Sequence, residues 1–344
     1  MRSSPMAASP KSEPELAAEA AARLTPGAVV AVVRRDGGGN NRLYRVETAD
    51  GQLFALKWYS RPQGDRRDRL GVEWTALSFL TRHGVTDVPR PVAADSASGF
   101  ALYEWIDGTA VTGATVTDID AALAFAERLH TLRHAADAEA LPAASEACLS
   151  PAELLGQIAR RADRLAEVPP DEPDLAAFLD AEFAPARRSA EQAARLVFGG
   201  KLDQPLADAA RSLSPSDFGF HNALRRPDGR LAFIDFEYFG WDDPVKLVAD
   251  FMQHPGMALP PQLSRYFAEQ ARGIYGEAEF ARRLDAAYPL FGLRWCLILL
   301  NEFLPERWHN RRFSGRAEDR RLAMRGQLAK ARTHLRRHVM GEAR

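Results

Sequence analysis

Between Ser214 and Glu237 the chain concentrates groups that could do chemistry. Asp217 and Asn222 stand five residues apart in a short loop. Two apolar segments then pair around Pro227-Asp228-Gly229, and Asp235 ends the second of them. Phosphoryl transfer needs little covalent help from a protein. It needs a carboxylate at the attacking hydroxyl and oxygen ligands for a divalent cation. An Asp-x4-Asn loop, a hairpin and an apolar-Asp segment, in that order, supply both.

The register is not trivial, because Asp217-Phe218-Gly219 spells the metal-binding tripeptide of protein kinases. That register would require an Asp-x4-Asn loop shortly upstream. The upstream candidate, Asp203, is followed five residues on by Asp208 instead of Asn. Taking Asp217 as the base and Asp235 as the metal ligand satisfies both motifs at once.

The elements that must position these groups begin near the N-terminus. Val29–Val33, Leu43–Thr48 and Gln52–Tyr59 read as antiparallel strands, with Asp50-Gly51 suited to a type I′ connection. Lys57 lies inside the third, otherwise apolar strand. Between the first two strands, Gly37-Gly38-Gly39-Asn40-Asn41 could bring backbone N–H groups to phosphate oxygens. It does not complete a dinucleotide fingerprint, because Arg42 fills the last glycine position. A P-loop fails as well, since Gly200-Lys201 is preceded by Arg195 and followed by Leu202 where glycine and Ser/Thr belong. A helix is expected from about Arg66 to His83, stopped by Gly84, with Glu73 beside its apolar face. Two strands and a linker, Glu104-Trp105-Ile106, follow. From about Thr117 the pattern turns helical. Asp243-Pro244 starts a further helix as N-cap and first turn, on which Lys246 and Asp250 read as an ordinary surface pair.

At 344 residues the chain suggests two lobes. We expect a leader without order over residues 1–19, a β lobe and hinge over 20–107, and a helical lobe over 108–344. Hydrophobic content of 46%, charged content of 26% and a net charge of -1 offer no pull toward nucleic acid or anionic membrane. No apolar run has the length of a membrane span. Cys148 and Cys296, far apart, indicate neither a disulfide framework nor a zinc site and fit a cytoplasmic setting. Only five of the 45 basic residues are Lys, so a lysine in an apolar setting is informative.

The order Gly-rich hairpin, strand Lys57, helix Glu73, linker Glu104–Ile106, helical lobe, Asp217/Asn222 and Asp235 resembles the aminoglycoside phosphotransferase and choline kinase-like family. The resemblance covers roughly Leu24 to Leu304. It implies an α+β, bilobal protein-kinase-like fold, with an antiparallel sheet and one helix in the N-terminal lobe and a larger helical C-terminal lobe. By that resemblance Gly38, Gly39 and Asn40 would cover the nucleotide, Lys57 would hold its phosphates and Glu73 would orient Lys57. The backbone at Glu104 and Ile106 would meet the adenine. Asp217 would take the hydroxyl proton, and Asn222 and Asp235 would hold Mg²⁺. The activity implied is phosphate transfer from ATP, with GTP left open, to a hydroxyl of a small molecule, by a monomer or homodimer.

Two positions depart from the family pattern. Pro215 stands where many members have His, leaving Ser214 or Ser216 to brace the loop. Leu247 stands where the family often has Asp, with Asp250 as a substitute. A nucleotide-binding pseudokinase is the alternative, opposed by the intact Lys57, Asp217, Asn222 and Asp235. A protein kinase would need an activation segment that is missing after Asp235. The Arg-rich C-terminal helix reads as a docked helix instead of an RNA-binding one. Trp241, Asp242, Trp295, Asn301, Glu302 and Glu306 are candidate acceptor-lining residues.

Overall fold

The computed structural model describes residues 11–35, 41–59, 67–168, 173–257, 259–305 and 319–341. Gly38, Gly39, Asn40 and Glu306 lie outside the described residues. The chain forms two compact units, one of residues 1–109 with 226–237, the other of residues 110–225 with 238–344.

The first unit is built on a five-stranded antiparallel sheet of order β1-β2-β3-β5-β4. Its strands are β1 Val29–Arg35, β2 Asn41–Thr48, β3 Leu53–Tyr59, β4 Pro91–Asp95 and β5 Phe100–Glu104. Because side chains alternate along a strand, β3 serves two faces. Phe54 and Leu56 join one buried cluster, with Tyr44, Val46, Phe100 and Leu102. Lys57 and Tyr59 point the other way, to the face where helix α2 (Arg69–Arg82) supplies Glu73. Asp68 caps α2 by accepting from the Gly71 N–H at 3.0 Å, and Gly84, at φ 72°, follows its end.

The first of these faces corrects the expected leader. Glu13–Leu24 is a helix, α1, opened by a Ser12/Glu15 capping box. Its Ala17, Ala20 and Ala21 are buried against the sheet cluster. Glu13 also accepts from the Tyr44 hydroxyl at 2.6 Å and pairs with Arg42, and Arg23 meets Asp95 at 2.5 Å. The remainder of this unit, 226–237, contains the expected turn, with the Gly229 N–H donating to the Arg226 carbonyl at 2.9 Å. It is tied in where the Phe233 N–H donates to the Asp87 carbonyl at 2.7 Å.

The second unit is mainly helical: α3 Val116–Leu132, α4 Pro151–Ala166, α5 Pro173–Phe178, α6 Ala184–Phe198, α7 Pro244–Gln253, α8 Pro261–Tyr275, α9 Glu277–Leu299 and the C-terminal helix Arg320–His334. A short antiparallel pair joins Ser212–Ser214 to Gly240–Asp242. Among the described residues no helix is long and apolar enough to cross a membrane.

Candidate active site

In the first unit a half-buried lysine is held between two carboxylates. Lys57 Nζ donates to Glu73 Oε2 at 2.6 Å and to Asp235 Oδ1 at 2.5 Å. Burial alone would drive the ammonium to lose its proton, but Asp235 and Glu73 outweigh it and hold the lysine charged well above its ordinary value. Glu73 is 3% exposed, far from the solvated helix charge that a lone Glu usually is. Burial pushes its carboxyl upward against the pull of Lys57. Three further donors or polar groups fix it: Tyr59 OH at 2.6 Å, the Phe236 N–H at 3.3 Å, and Tyr103 through Tyr59 at 2.7 Å. Asp235 adopts φ 68°, the left-handed region that non-glycine residues rarely occupy.

Glu237, given no role in the sequence expectations, belongs to the same cluster. One oxygen from each of Glu73, Asp235 and Glu237 lies within 4.8 Å of the others. Glu237 is buried, accepts from the Asn41 amide and has Arg69 Nε at 3.9 Å. Its signal in the sequence was its place two residues after Asp235. Further along the sheet, β5 ends at Glu104, whose N–H donates to the Arg90 carbonyl at 2.9 Å, and the Ile106 side chain is buried.

The second unit carries the Asp217 loop. Phe218 and Phe220 anchor it in an aromatic cluster, with ring centroids 5.5 and 5.3 Å from Phe251 of α7. Asn222 Nδ2 donates to the Asp217 carbonyl at 3.0 Å, so its Oδ1 is the atom left for a ligand. Three residues on, Arg225 makes a paired contact with Asp118 of α3 at 2.7 and 2.9 Å. At Gly219 a Cβ would sit 2.4 Å from Met257 Sδ, so any side chain there would have to displace Met257 and the His221 ring.

Asp217 itself is held by two histidines the sequence reading passed over. His221 Nε2 is 3.0 Å from Asp217 Oδ1 and His254 Nε2 is 3.8 Å away. The two imidazoles stack at 3.6 Å, and His254 meets Trp295 edge-on at 4.7 Å. Burial would raise the Asp217 carboxyl, but the His221 hydrogen bond and neighbouring charge win and bring it to about 2. Burial, with His221 beside it, lowers His254 to about 4. The Gly256 N–H donates to His254 Nδ1 at 3.1 Å, which leaves the proton on Nε2. No short-range pattern links His254 to Asp217; they meet only because α7 ends beside the loop.

Lys246 is the larger correction. It is no surface pair with Asp250 but fully buried, 3.2 Å from Asp242 and 3.4 Å from Asp250. These carboxylates overcome burial and hold it protonated. Arg294, 3.1 Å from Asp250, and Trp295 Nε1, donating to Asp250 Oδ1 at 2.7 Å, complete the cluster. Lys246 Nζ donates to Ser216 Oγ at 2.9 Å, and Ser216 Oγ donates to the Ser145 carbonyl at 3.0 Å. Ser214 Oγ accepts the Ser216 N–H at 3.0 Å. The loop with Pro215 in place of His is therefore braced by Ser214, Ser216 and Lys246. The signal for Lys246 in the sequence is a scarce lysine in the apolar setting Pro-Val-Lys-Leu-Val-Ala. Asp242, offered above as acceptor-lining, is instead 1% exposed and accepts from the Cys148 N–H at 2.9 Å.

The sequence profile of the family described as "Phosphotransferase enzyme family" matches residues 31–281. No curated protein sequence matches the chain. Among solved structures, the choline kinase LicA from Streptococcus pneumoniae is similar at 16% identity, with 95% of this chain and 99% of that chain covered and a TM-score of 0.58. A spectinomycin phosphotransferase in complex with ADP and spectinomycin is similar at 14% identity, 94% and 95% coverage and a TM-score of 0.64. A macrolide 2′-phosphotransferase from Brachybacterium faecium is similar at 17% identity, 86% and 94% coverage and a TM-score of 0.54. The antiparallel sheet with its helix and the largely helical remainder are the α+β, protein-kinase-like fold of these structures.

Proposed function

Because the chain belongs to the phosphotransferase enzyme family, we propose that it moves the γ-phosphoryl group of ATP, with Mg²⁺, onto a hydroxyl of a small molecule. Amino sugars, amino alcohols, sugars and antibiotics are the acceptor classes in view. The similar structures whose names specify choline, spectinomycin and macrolide phosphorylation support that range. The observation that carries the reading is Lys57, charged and fixed by Glu73 and Asp235.

The residues fit the groups proposed. An ammonium has three donors; two of those on Lys57 go to carboxylates, and the third is the one to offer a phosphate oxygen. Asp235, Glu237 and the Asn222 carboxamide oxygen are hard donors of the kind Mg²⁺ takes. When bound, the ion neutralises charge on the phosphates as the bond to the leaving oxygen breaks. The γ-phosphorus–oxygen bond to the acceptor forms as its hydroxyl proton passes to Asp217. A carboxyl held near 2 is a weak base, so Asp217 acts mainly by orienting the hydroxyl and accepting its proton late in the transfer. Ser216 and Lys246 hold the loop behind it.

The test is a screen of aminoglycosides, amino alcohols, sugars and nucleosides for acceptor-dependent ADP release with Mg²⁺. Asp217→Ala should lower turnover on any hit by roughly 10²–10⁴-fold. Turnover indifferent to Asp217→Ala would overturn the catalytic assignment. Tight nucleotide binding without turnover on the whole panel would favour a pseudokinase.

A further inference from the structure

Beside Asp217 stands a hydrogen-bond donor that the transfer step above leaves unused. Because the Gly256 N–H donates to His254 Nδ1 at 3.1 Å, the ring is neutral and its proton sits on Nε2. That nitrogen lies 3.8 Å from Asp217 Oδ1, beyond hydrogen-bonding distance. Among the described residues nothing else accepts from it, and it keeps accessible surface of its own. The side chains of His254 and Asp217 are 18% and 37% exposed, so a molecule that reaches the carboxylate also meets this N–H.

The donor is fixed in direction. His254 stacks on His221 at 3.6 Å, and Trp295 meets it edge-on at 4.7 Å. The Trp295 indole N–H donates to Asp250, so this side chain backs the imidazole instead of offering a polar atom of its own. An acceptor that uses both groups must present a hydroxyl hydrogen to Asp217 and an oxygen lone pair to His254. The two protein atoms are 3.8 Å apart, so the two ligand atoms lie close together, as oxygens on adjacent carbons do. An ammonium in that second place has no lone pair to offer; it sets donor against donor and competes with the hydroxyl for Asp217. Besides Asp217, the carboxylate whose charge reaches His254 is Asp250, which is buried and committed to Lys246 and Arg294.

We propose that the phosphate acceptor carries a second oxygen on the carbon beside its reacting hydroxyl, and that His254 Nε2–H selects it. On the phosphotransfer reading, on which this rests, His254 narrows the acceptors to vicinal diols, as sugars and cyclitols present them, over amino alcohols. The reacting hydroxyl donates to Asp217 while its neighbour accepts from His254, and no bond of the imidazole is made or broken.

The test measures kcat/KM for ADP release by the full chain, with Mg²⁺ and ATP, on alcohols of one skeleton: trans-cyclohexane-1,2-diol, trans-2-aminocyclohexanol and cyclohexanol. The diol should exceed each of the others by about tenfold or more. In His254→Phe the diol-to-cyclohexanol ratio, which cancels any general change in rate, should fall to about one. His254→Gln, which keeps an N–H in reach of the same place, should retain part of it. Equal turnover of the alcohols by the unmodified chain, or an unchanged ratio in His254→Phe, would overturn the proposal. So would silence with the diol in a chain that phosphorylates any alcohol of the wider panel. Silence with every alcohol would instead overturn the phosphotransfer reading itself. The comparison among the alcohols needs no variant, so misfolding of either substitution leaves the proposal decidable.

Discussion

Glu73 and Lys57 form a pair whose value lies in its being unbreakable from one side. Glu73 is enclosed and Lys57 is the cation that faces it, whereas Lys57 has Asp235 as a second counter-charge. Removing one member of such a pair leaves an uncompensated buried charge, which costs about 3–5 kcal/mol. Lys57→Met takes the cation from the enclosed Glu73 and should therefore destabilise the protein by roughly that amount. Urea unfolding of the two proteins would measure it; a loss under about 1 kcal/mol would mean that water screens the pair. The candidates Lys57, Glu73, Asp217, Asn222 and Asp235 could be picked out because residue type, spacing and order along the chain all carry information. His221 and His254 could not. One reads as a loop histidine, the other stands 37 positions after Asp217 at the end of another helix, and only packing of α7 beside the loop stacks them.

At the scale of elements, α7 and α1 show two ways that a pattern misleads. In α7, Lys246 and Asp250 have the i,i+4 spacing of a surface pair, and spacing alone says nothing about depth. Their neighbours Val245, Leu247, Val248 and Ala249 are all buried, so the helix is enclosed on every side. In α1 the missing cue was large apolar residues. The helix approaches the sheet through three buried alanines, which bury little surface each and let backbones come close, with Leu16 and Leu24 only partly buried beside them. Strands β1–β3 and the hairpin at 226–230 were plain by contrast, because alternation and Asp-Gly turns are local signals. The role of α7 can be tested. Lys246→Met keeps much of the side-chain volume but leaves Asp242 without its cation; Asp250 retains Arg294. The expected loss is about 3–5 kcal/mol. Because the hold on Ser216 goes too, kcat should fall in the fraction that remains folded. An unchanged kcat would show that this tether does not place Asp217.

For the molecule as a whole, buried imidazoles set the response to acid. His254 is lowered to about 4 and His334 to about 3, in both cases with burial as the first cause. An unfolded chain binds protons at these sites from about pH 6.5 downward, whereas the folded one does not. Their contribution is complete above pH 6.5 and is lost as the pH falls toward 4, with a slope approaching about 1.4 kcal/mol per pH unit for each histidine. Asp217 extends the loss below its ordinary range, between about 4 and 2. Thermal unfolding midpoints should thus fall steadily from pH 6.5 to 4. A flat profile over that interval would contradict the burial of these rings.

Ser216 and Asp235 share a backbone property with consequences for how the protein can change. Both hold positive φ, 67° and 68°, at positions flanking or forming the proposed chemistry. Such conformations cost on the order of 1–3 kcal/mol for an ordinary residue, and glycine would relieve that strain. Selection for heat tolerance and selection for turnover should therefore part ways at these two codons. The first would admit glycine at both, whereas the second would keep the hydroxyl that Lys246 grips and the carboxylate beside Lys57.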